Sequence, residues 1–140
     1  MKLKVMKVNV WKAAVADRPG GLARKLAALS AARANLQFVL ARRTESGGRA
    51  VVFVWPLKGA KQARAGRAAG FAKTRDLFAV RVEGDDRPGL GAKMTQALAA
   101  KGINLRGFSA AALRKRFVAY VAADSAKDAT RVAAALRKIR

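Results

Sequence analysis

The chain of 140 residues contains no cysteine and no histidine. Those two absences remove disulfides, thiolate nucleophiles, Cys/His metal sites and histidine general bases together, so neither a metal nor a cofactor is expected. Acid is scarce as well, 8 Asp+Glu against 30 Lys+Arg. The only close carboxylate cluster is Glu83, Asp85 and Asp86, and a strand ending beside a helix start accounts for it, so no catalytic residue is assigned and enzyme activity is not expected. Long apolar runs are missing. Val51 to Trp55 falls far short of the roughly 20 residues that span a bilayer, and the lysine-dotted start Met1-Lys2-Leu3-Lys4-Val5 has no signal-peptide core. A cytoplasmic protein with no membrane partner is the expectation.

What is abundant is positive charge. The net charge is +22, and 52% of residues are apolar, a composition that reads as globular. The cations occur singly or in short clusters such as Arg42-Arg43, Arg114-Lys115-Arg116 and Arg137-Lys138-Arg140, spread over both halves of the chain. Two readings stay open, a basic coding bias on a solvated surface and a nucleic-acid partner. Non-specific attraction to polyanions follows from either, weakened by salt.

The chain is organised around Asp17-Arg18-Pro19-Gly20, because the same four residues return at Asp86-Arg87-Pro88-Gly89, 69 residues later. At that offset Ala23/Ala92, Ala28/Ala97, Leu29/Leu98, Ala31/Ala100, Asn35/Asn104 and Leu36/Leu105 also match. One unit therefore occurs twice. Each copy follows a strand-like run, Met1 to Ala16 or Leu77 to Glu83, and opens a helix. Proline suits a first helical residue, so helix 1 is expected from Pro19 to Arg33, with Leu22, Leu26 and Leu29 on one face. Its counterpart carries Leu90, Met94 and Leu98 and closes at Gly102, as a left-handed cap would.

Alternation predicts strands from Leu36 to Leu40, Ala50 to Trp55, Leu105 to Leu113 and Phe117 to Ala123, with a turn at Glu45-Ser46-Gly47-Gly48. Val51 to Trp55 is apolar at every position, so that strand is expected to be covered on both faces. Gly59 to Ala69 is a weak helix with little to bury, and Phe71 to Arg75 reads as a strand. Ser125, with Asp128 three residues on, starts a last helix with Ala129, Val132, Ala133, Leu136 and Ile139 as its stripe.

Each unit thus predicts strand, helix, strand, strand, helix, strand, an α+β ferredoxin-like sandwich with an antiparallel sheet and helices on one face. The domains are expected at 1–75 and 76–140. One piece is missing: Phe71 plus the offset is position 140, where the second unit's fourth strand would begin. Met1 to Met6 either supplies that strand, giving a permuted pseudo-twofold pair, or lengthens the first strand, or pairs with another molecule.

Strand, Asp-Arg-Pro-Gly, helix, Asn-Leu, strand resembles the ACT domain, a ligand-binding regulatory module, and the resemblance covers nearly the whole chain twice. It implies non-enzymatic recognition of a small ligand, most often an amino acid, at the junction of two such domains, and a regulated enzyme. The positions it implies are Asp17, Arg18, Gly20, Gly21, Leu22 and Asn35, with Asp86, Arg87, Gly89, Leu90, Gly91 and Asn104. Two positions before each Asp, where some amino-acid-binding members are polar, this chain has Val15 and Gly84. The physics of a helix start agrees with the placement: unpaired N–H groups and the positive dipole end attract a carboxylate, and glycine admits it to the backbone. Asp17 would accept from the ammonium, and the Asn35 amide offers a donor and an acceptor. The plainer reading is that Asp17 favours the helix start and Asn35 forms a turn. A homodimer through exposed sheet edges is expected.

The alternative function is nucleic-acid binding by the basic ferredoxin-like surface. Base stacking on such a sheet needs aromatic residues two apart on an exposed strand face, whereas Phe117 and Tyr120 are three apart. Gly20-Gly21 and Gly89-x-Gly91 match no dinucleotide or P-loop fingerprint.

Overall fold

A computed structural model describes residues 2–45 and 47–140. Met1, where the expected N-terminal strand begins, and Ser46, in the expected 45–48 turn, lie outside the described residues. The first sixteen residues make two strands in different sheets, β1 (Lys4–Val8) and β2 (Trp11–Ala16), parted at Asn9 and Val10. The chain forms two compact units, Asn9–Thr74 and Met1–Val8 with Arg75–Arg140.

In the 9–74 unit, β2 is followed by α1 (Gly21–Ala31), β3 (Phe38–Arg43), β4 (Arg49–Trp55), α2 (Gly59–Ala68) and β5 (Ala72–Lys73). The sheet order is β3-β4-β2-β5, antiparallel throughout. Period-two alternation sends Trp11, Ala13 and Val15 to the same core as Val52 and Val54, where they meet Leu29 of α1, with Leu22 and Leu26 at its margin. Val51 and Phe53 are buried too, so both faces of β4 are covered.

The helix α2 packs because it is small. A Cβ on Gly66 would stand 2.8 Å from Leu57 Cδ1, the end of a flexible side chain that would have to turn aside, and at ordinary contact distance, 3.9 Å, from the Trp11 ring. The strand expected over 71–75 shrinks to Ala72–Lys73. Phe71 instead ends the helix: its N–H bonds to Gly66 O at 2.8 Å while Gly70 adopts φ 94° and donates to Arg67 O, and the phenyl ring is buried. The same motif closes α1, with Arg33 in the left-handed position (φ 63°).

The other unit runs β6 (Phe78–Asp85), α3 (Leu90–Ala100), β7 (Leu105–Leu113), β8 (Arg116–Ala123), α4 (Ala126–Arg137). Its sheet order is β1-β6-β8-β7, with β1 antiparallel to β6 from Lys4 opposite Glu83 to Val8 opposite Ala79. Leu3 and Val5 join Val80, Val82, Leu90, Met94, Leu98, Val132 and Leu136 in one core. The helix α4 grips the strand from outside, Arg137 Nη2 donating to Val5 O at 3.2 Å and Lys7 Nζ to Thr130 Oγ1 at 3.1 Å. Ser125 Oγ accepts the Asp128 N–H at 3.0 Å and starts α4. Both units are ferredoxin-like βαββαβ sandwiches, the second completed by a strand from the other end of the chain. Among the described residues no helix is long and apolar enough to cross a membrane.

Candidate ligand site at the repeated turns

Pro19 lies in a turn and not, as expected, in the first position of helix 1, which begins at Gly21. Gly21 N–H donates to Arg18 O at 3.0 Å and Gly20 adopts φ 85°, ψ −10°, the third position of a type II turn, which favours proline before it and requires positive φ. The second copy repeats the geometry, Leu90 N–H to Arg87 O at 3.4 Å with Gly89 at φ 82°, ψ 2°. The first helical bonds then run from Arg24 N–H to Gly20 O and from Lys93 N–H to Gly89 O. Between turn and helix, the N–H groups of Leu22 and Ala23, and of Gly91 and Ala92, have no protein partner among the described residues, and neither helix has a side-chain cap. Each turn therefore presents two unsatisfied donors at the positive end of a helix dipole.

Space at three of the four glycine Cβ positions of these turns is open. A Cβ built on Gly20, Gly89 or Gly91 meets nothing within 4 Å, whereas one on Gly21 would lie 2.2 Å from Ala16 O. Gly21 is thus demanded by packing. The order of glycine and leucine is reversed between copies, Gly21-Leu22 against Leu90-Gly91, and Leu90 is fully buried.

The side chains around the turns differ in what already holds them. The Asp17 carboxylate accepts from Arg43 Nε at 2.9 Å, while the exposed Asp86 side chain has no partner among the described residues. Both aspartates hold their turns to a hairpin through the backbone, Asp17 N–H to Gly48 O and Asp86 N–H to Lys115 O. Arg18 is exposed and its side chain has no partner among the described residues. Arg87 Nη2 and Lys93 Nζ converge on one main-chain oxygen, that of Arg140, at 2.9 and 2.6 Å. Sequence reading missed Lys93. The signal was the offset itself: Lys93 minus 69 is Arg24, so a cation recurs at this point although its identity does not. Two members of the carboxylate cluster beside the second turn are spent on ion pairs, Glu83 with Arg81 and Arg116, and Asp85 with Arg116 at 2.7 Å. The Arg81 hydrogen bond holds the Glu83 carboxyl below the usual carboxylate range.

Asn35 and Asn104 are exposed and make no hydrogen bond within the described residues. Each lies just before its strand, at the far end of its sheet from its turn. Arg43, which touches Asp17, ends β3, and Asn35 precedes the start of β3, a strand about 17 Å long at ~3.3 Å per residue. In the other unit Asn104 precedes Leu105, while Leu113 lies opposite Arg116, the partner of Asp85. No unit brings its own asparagine to its own turn. The two aromatic residues weighed for base stacking, Phe117 and Tyr120, are both buried.

No family model matches the sequence, and no curated protein matches it. Solved structures match it in fold. A Bacteroides thetaiotaomicron protein aligns with a TM-score of 0.75 at 17% identity over 96% of this chain and 99% of that one. The regulatory subunit of aspartate kinase from Thermus thermophilus, in its ligand-free form, aligns at 0.65 with 17% identity over 97% and 95%. E. coli aspartokinase III, solved with aspartate and ADP, aligns at 0.56 with 16% identity over 96% of this chain and 32% of that longer one. At these identities the likeness is one of fold alone.

Proposed function

We propose that the protein is a non-catalytic regulatory module that binds a free amino acid, with the α-carboxylate on the start of α1 or α3. The observation that carries this reading is the coincidence, twice over, of two unsatisfied helix-start N–H groups with a pair of cations, Arg18 with Arg24 and Arg87 with Lys93. The second pair already gathers a single oxygen. A carboxylate taking two or three charge-assisted bonds, each contributing about 1.5–3 kcal/mol, reaches the micromolar class after association costs. Asp86, or the free oxygen of Asp17, accepts from the ligand's ammonium. One ligand touches a turn and a strand-opening asparagine only where these come from different modules, as when two copies of the chain associate. Exposed Val39 and Leu40 on edge strand β3 and Phe108 and Leu113 on edge strand β7 support such association. The regulatory subunit named among the structural neighbours supports a regulated enzyme as the partner.

The test is a thermal-shift panel of the twenty amino acids at moderate salt. A ligand at a hundred times its Kd adds about 2.7 kcal/mol, a shift of several degrees. Arg18→Ala/Arg24→Ala and Arg87→Ala/Lys93→Ala should each remove part of it. No response to any amino acid at millimolar concentration, or a response untouched by both double variants, would defeat the proposal.

A further inference from the structure

We infer that the helical layer of the 9–74 unit is a docking surface for the phosphate backbone of a nucleic-acid duplex, read by charge and not by base. From Arg18 to Lys73 the chain has a single acidic residue, Glu45, and it lies beyond the end of β3 and not on a helix. The helices α1 and α2 and their flanks present Arg24, Arg33, Lys58, Lys61, Arg64 and Arg67, all exposed. None of these six side chains has an ion-pair or hydrogen-bond partner among the described residues. Lys25 is different, its Nζ donating to Ala69 O and tying α1 to the end of α2.

The other unit supplies the internal comparison, because a basic coding bias acts on both. Its helical layer also carries six cations, Lys93, Lys101, Lys127, Arg131, Arg137 and Lys138, but three are committed. Lys93 donates to Arg140 O, Arg131 to Asp128 and Lys101 O, and Arg137 to Val5 O. An acid, Asp128, stands in their midst. Among the described residues the same fold thus has one helical face with three of its six cations held by protein acceptors, one of them in an ion pair, and one with all six exposed cations free.

Duplex phosphate is the partner that fits. Lys58 to Arg67 extends about 14 Å along α2 at ~1.5 Å per residue, and a duplex offers a charge every ~1.7 Å of axis. Between the cations the exposed residues are small, Ala23, Ala27, Ser30, Ala31, Ala60 and Ala68, which lets phosphates approach closely. The surface has no aromatic residue for stacking single-stranded bases. Nor does it have a large exposed apolar side chain to enter a membrane, since Met6, Val39, Leu40, Phe108 and Leu113 all lie on strands.

The experiment is fluorescence anisotropy with a labelled 24-base-pair DNA duplex across a salt series, using the full chain. The variant Lys61→Gln/Arg64→Gln/Arg67→Gln is compared with Lys101→Gln/Lys127→Gln/Lys138→Gln, which removes equal charge from the other helical layer. The α2 variant should weaken binding at least about tenfold at ~0.1 M salt and lower the slope of log K against log salt by about 2 to 3. The comparison variant should change either far less. Equal losses in both would place the attraction in the overall charge and overturn the inference, as would absence of duplex binding by the parent chain. Tighter binding to phosphatidylserine vesicles than to the duplex, lost in the same α2 variant, would also overturn it in favour of a membrane.

Discussion

If β1 is the fourth strand of the unit that ends the chain, cavities cut into it should weaken residues more than seventy positions away and spare those next door. Leu3 is 4% exposed and Val5 9%, both within the core that holds Val80, Val82, Met94 and Leu136. Truncating a buried leucine to alanine costs about 2–5 kcal/mol. Removing two methyls from Val5 adds roughly 1.6 kcal/mol at ~0.8 per carbon, so Leu3→Ala/Val5→Ala should lose on the order of 4–6 kcal/mol. A domain's whole stability is about 5–15 kcal/mol, which leaves that unit marginal. Hydrogen exchange followed by mass spectrometry resolves where the loss falls. Peptides from β6, α3, β8 and α4 should lose protection while those from β4 and α1 keep theirs. Met6→Ala, at a side chain pointing to solvent at 39% exposure, serves as the control and should change little. Unchanged protection over 78–137 in the double variant, or loss confined to β2 and β4, would refute this assignment of the strand.

Two further outcomes test the turns and their surroundings. Gly91→Ala, with open space at its Cβ, should raise stability by about 0.5–1 kcal/mol through helix propensity. Gly21→Ala, whose Cβ would lie 2.2 Å from Ala16 O, should lower it by about 1–3 kcal/mol, and urea denaturation with no difference between the two would contradict the packing argument. Because Arg81 depresses the Glu83 pKa in the folded state, the linked stability is fully present above the ordinary glutamate value of about 4.3 and is lost as pH falls through the lower folded value. The melting-temperature gap between the parent chain and Glu83→Gln should therefore narrow between pH 5 and 3, and a gap independent of pH would count against the pair.

The ferredoxin-like fold was legible because its signals are periodic and repeated: leucines on one helical face, alternation in strands, and a 69-residue offset that checks each element against its copy. The counting of elements pointed to an N-terminal strand in the other sheet, yet the division of the first sixteen residues was not visible. Asn9 and Val10 form no turn marked by proline or glycine, and the shift of apolar phase from Leu3 and Val5 to Val8 and Val10 does not say which sheet each strand joins. Pro19 was read as a helix start because a type II turn and a helix N-terminus both place proline just before glycine. Only the φ of Gly20 separates them. The helix over 59–69 looked weak for want of large apolar residues, yet it packs closely enough that a Cβ on Gly66 would have to displace Leu57 Cδ1. At the site, identity matching found Asp, Arg, Pro, Gly and Asn but passed over Arg24/Lys93, where charge recurs without identity. That the asparagines lie a sheet's length from their turns is a matter of strand register, which spacing along the chain does not encode.

The two copies divide the requirements of a zwitterion unequally. At the first turn the acid is engaged, Asp17 with Arg43, and the cations Arg18 and Arg24 have no side-chain partner among the described residues. At the second the cations are engaged on Arg140 O and the Asp86 side chain has no partner among the described residues. A carboxylate arriving at α1 meets unpaired positive charge directly, while one arriving at α3 must first displace a main-chain oxygen from Arg87 and Lys93, giving up two charge-assisted bonds to form its own. The ammonium meets the reverse order of costs, with Asp86 open and Asp17 shared. On the proposed reading, then, repetition of sequence does not imply repetition of affinity. On that reading the first turn would select for the negative end of a ligand and the second for its positive end, and the same four-residue turn would serve either bias through the partners that the surrounding fold gives its neighbours.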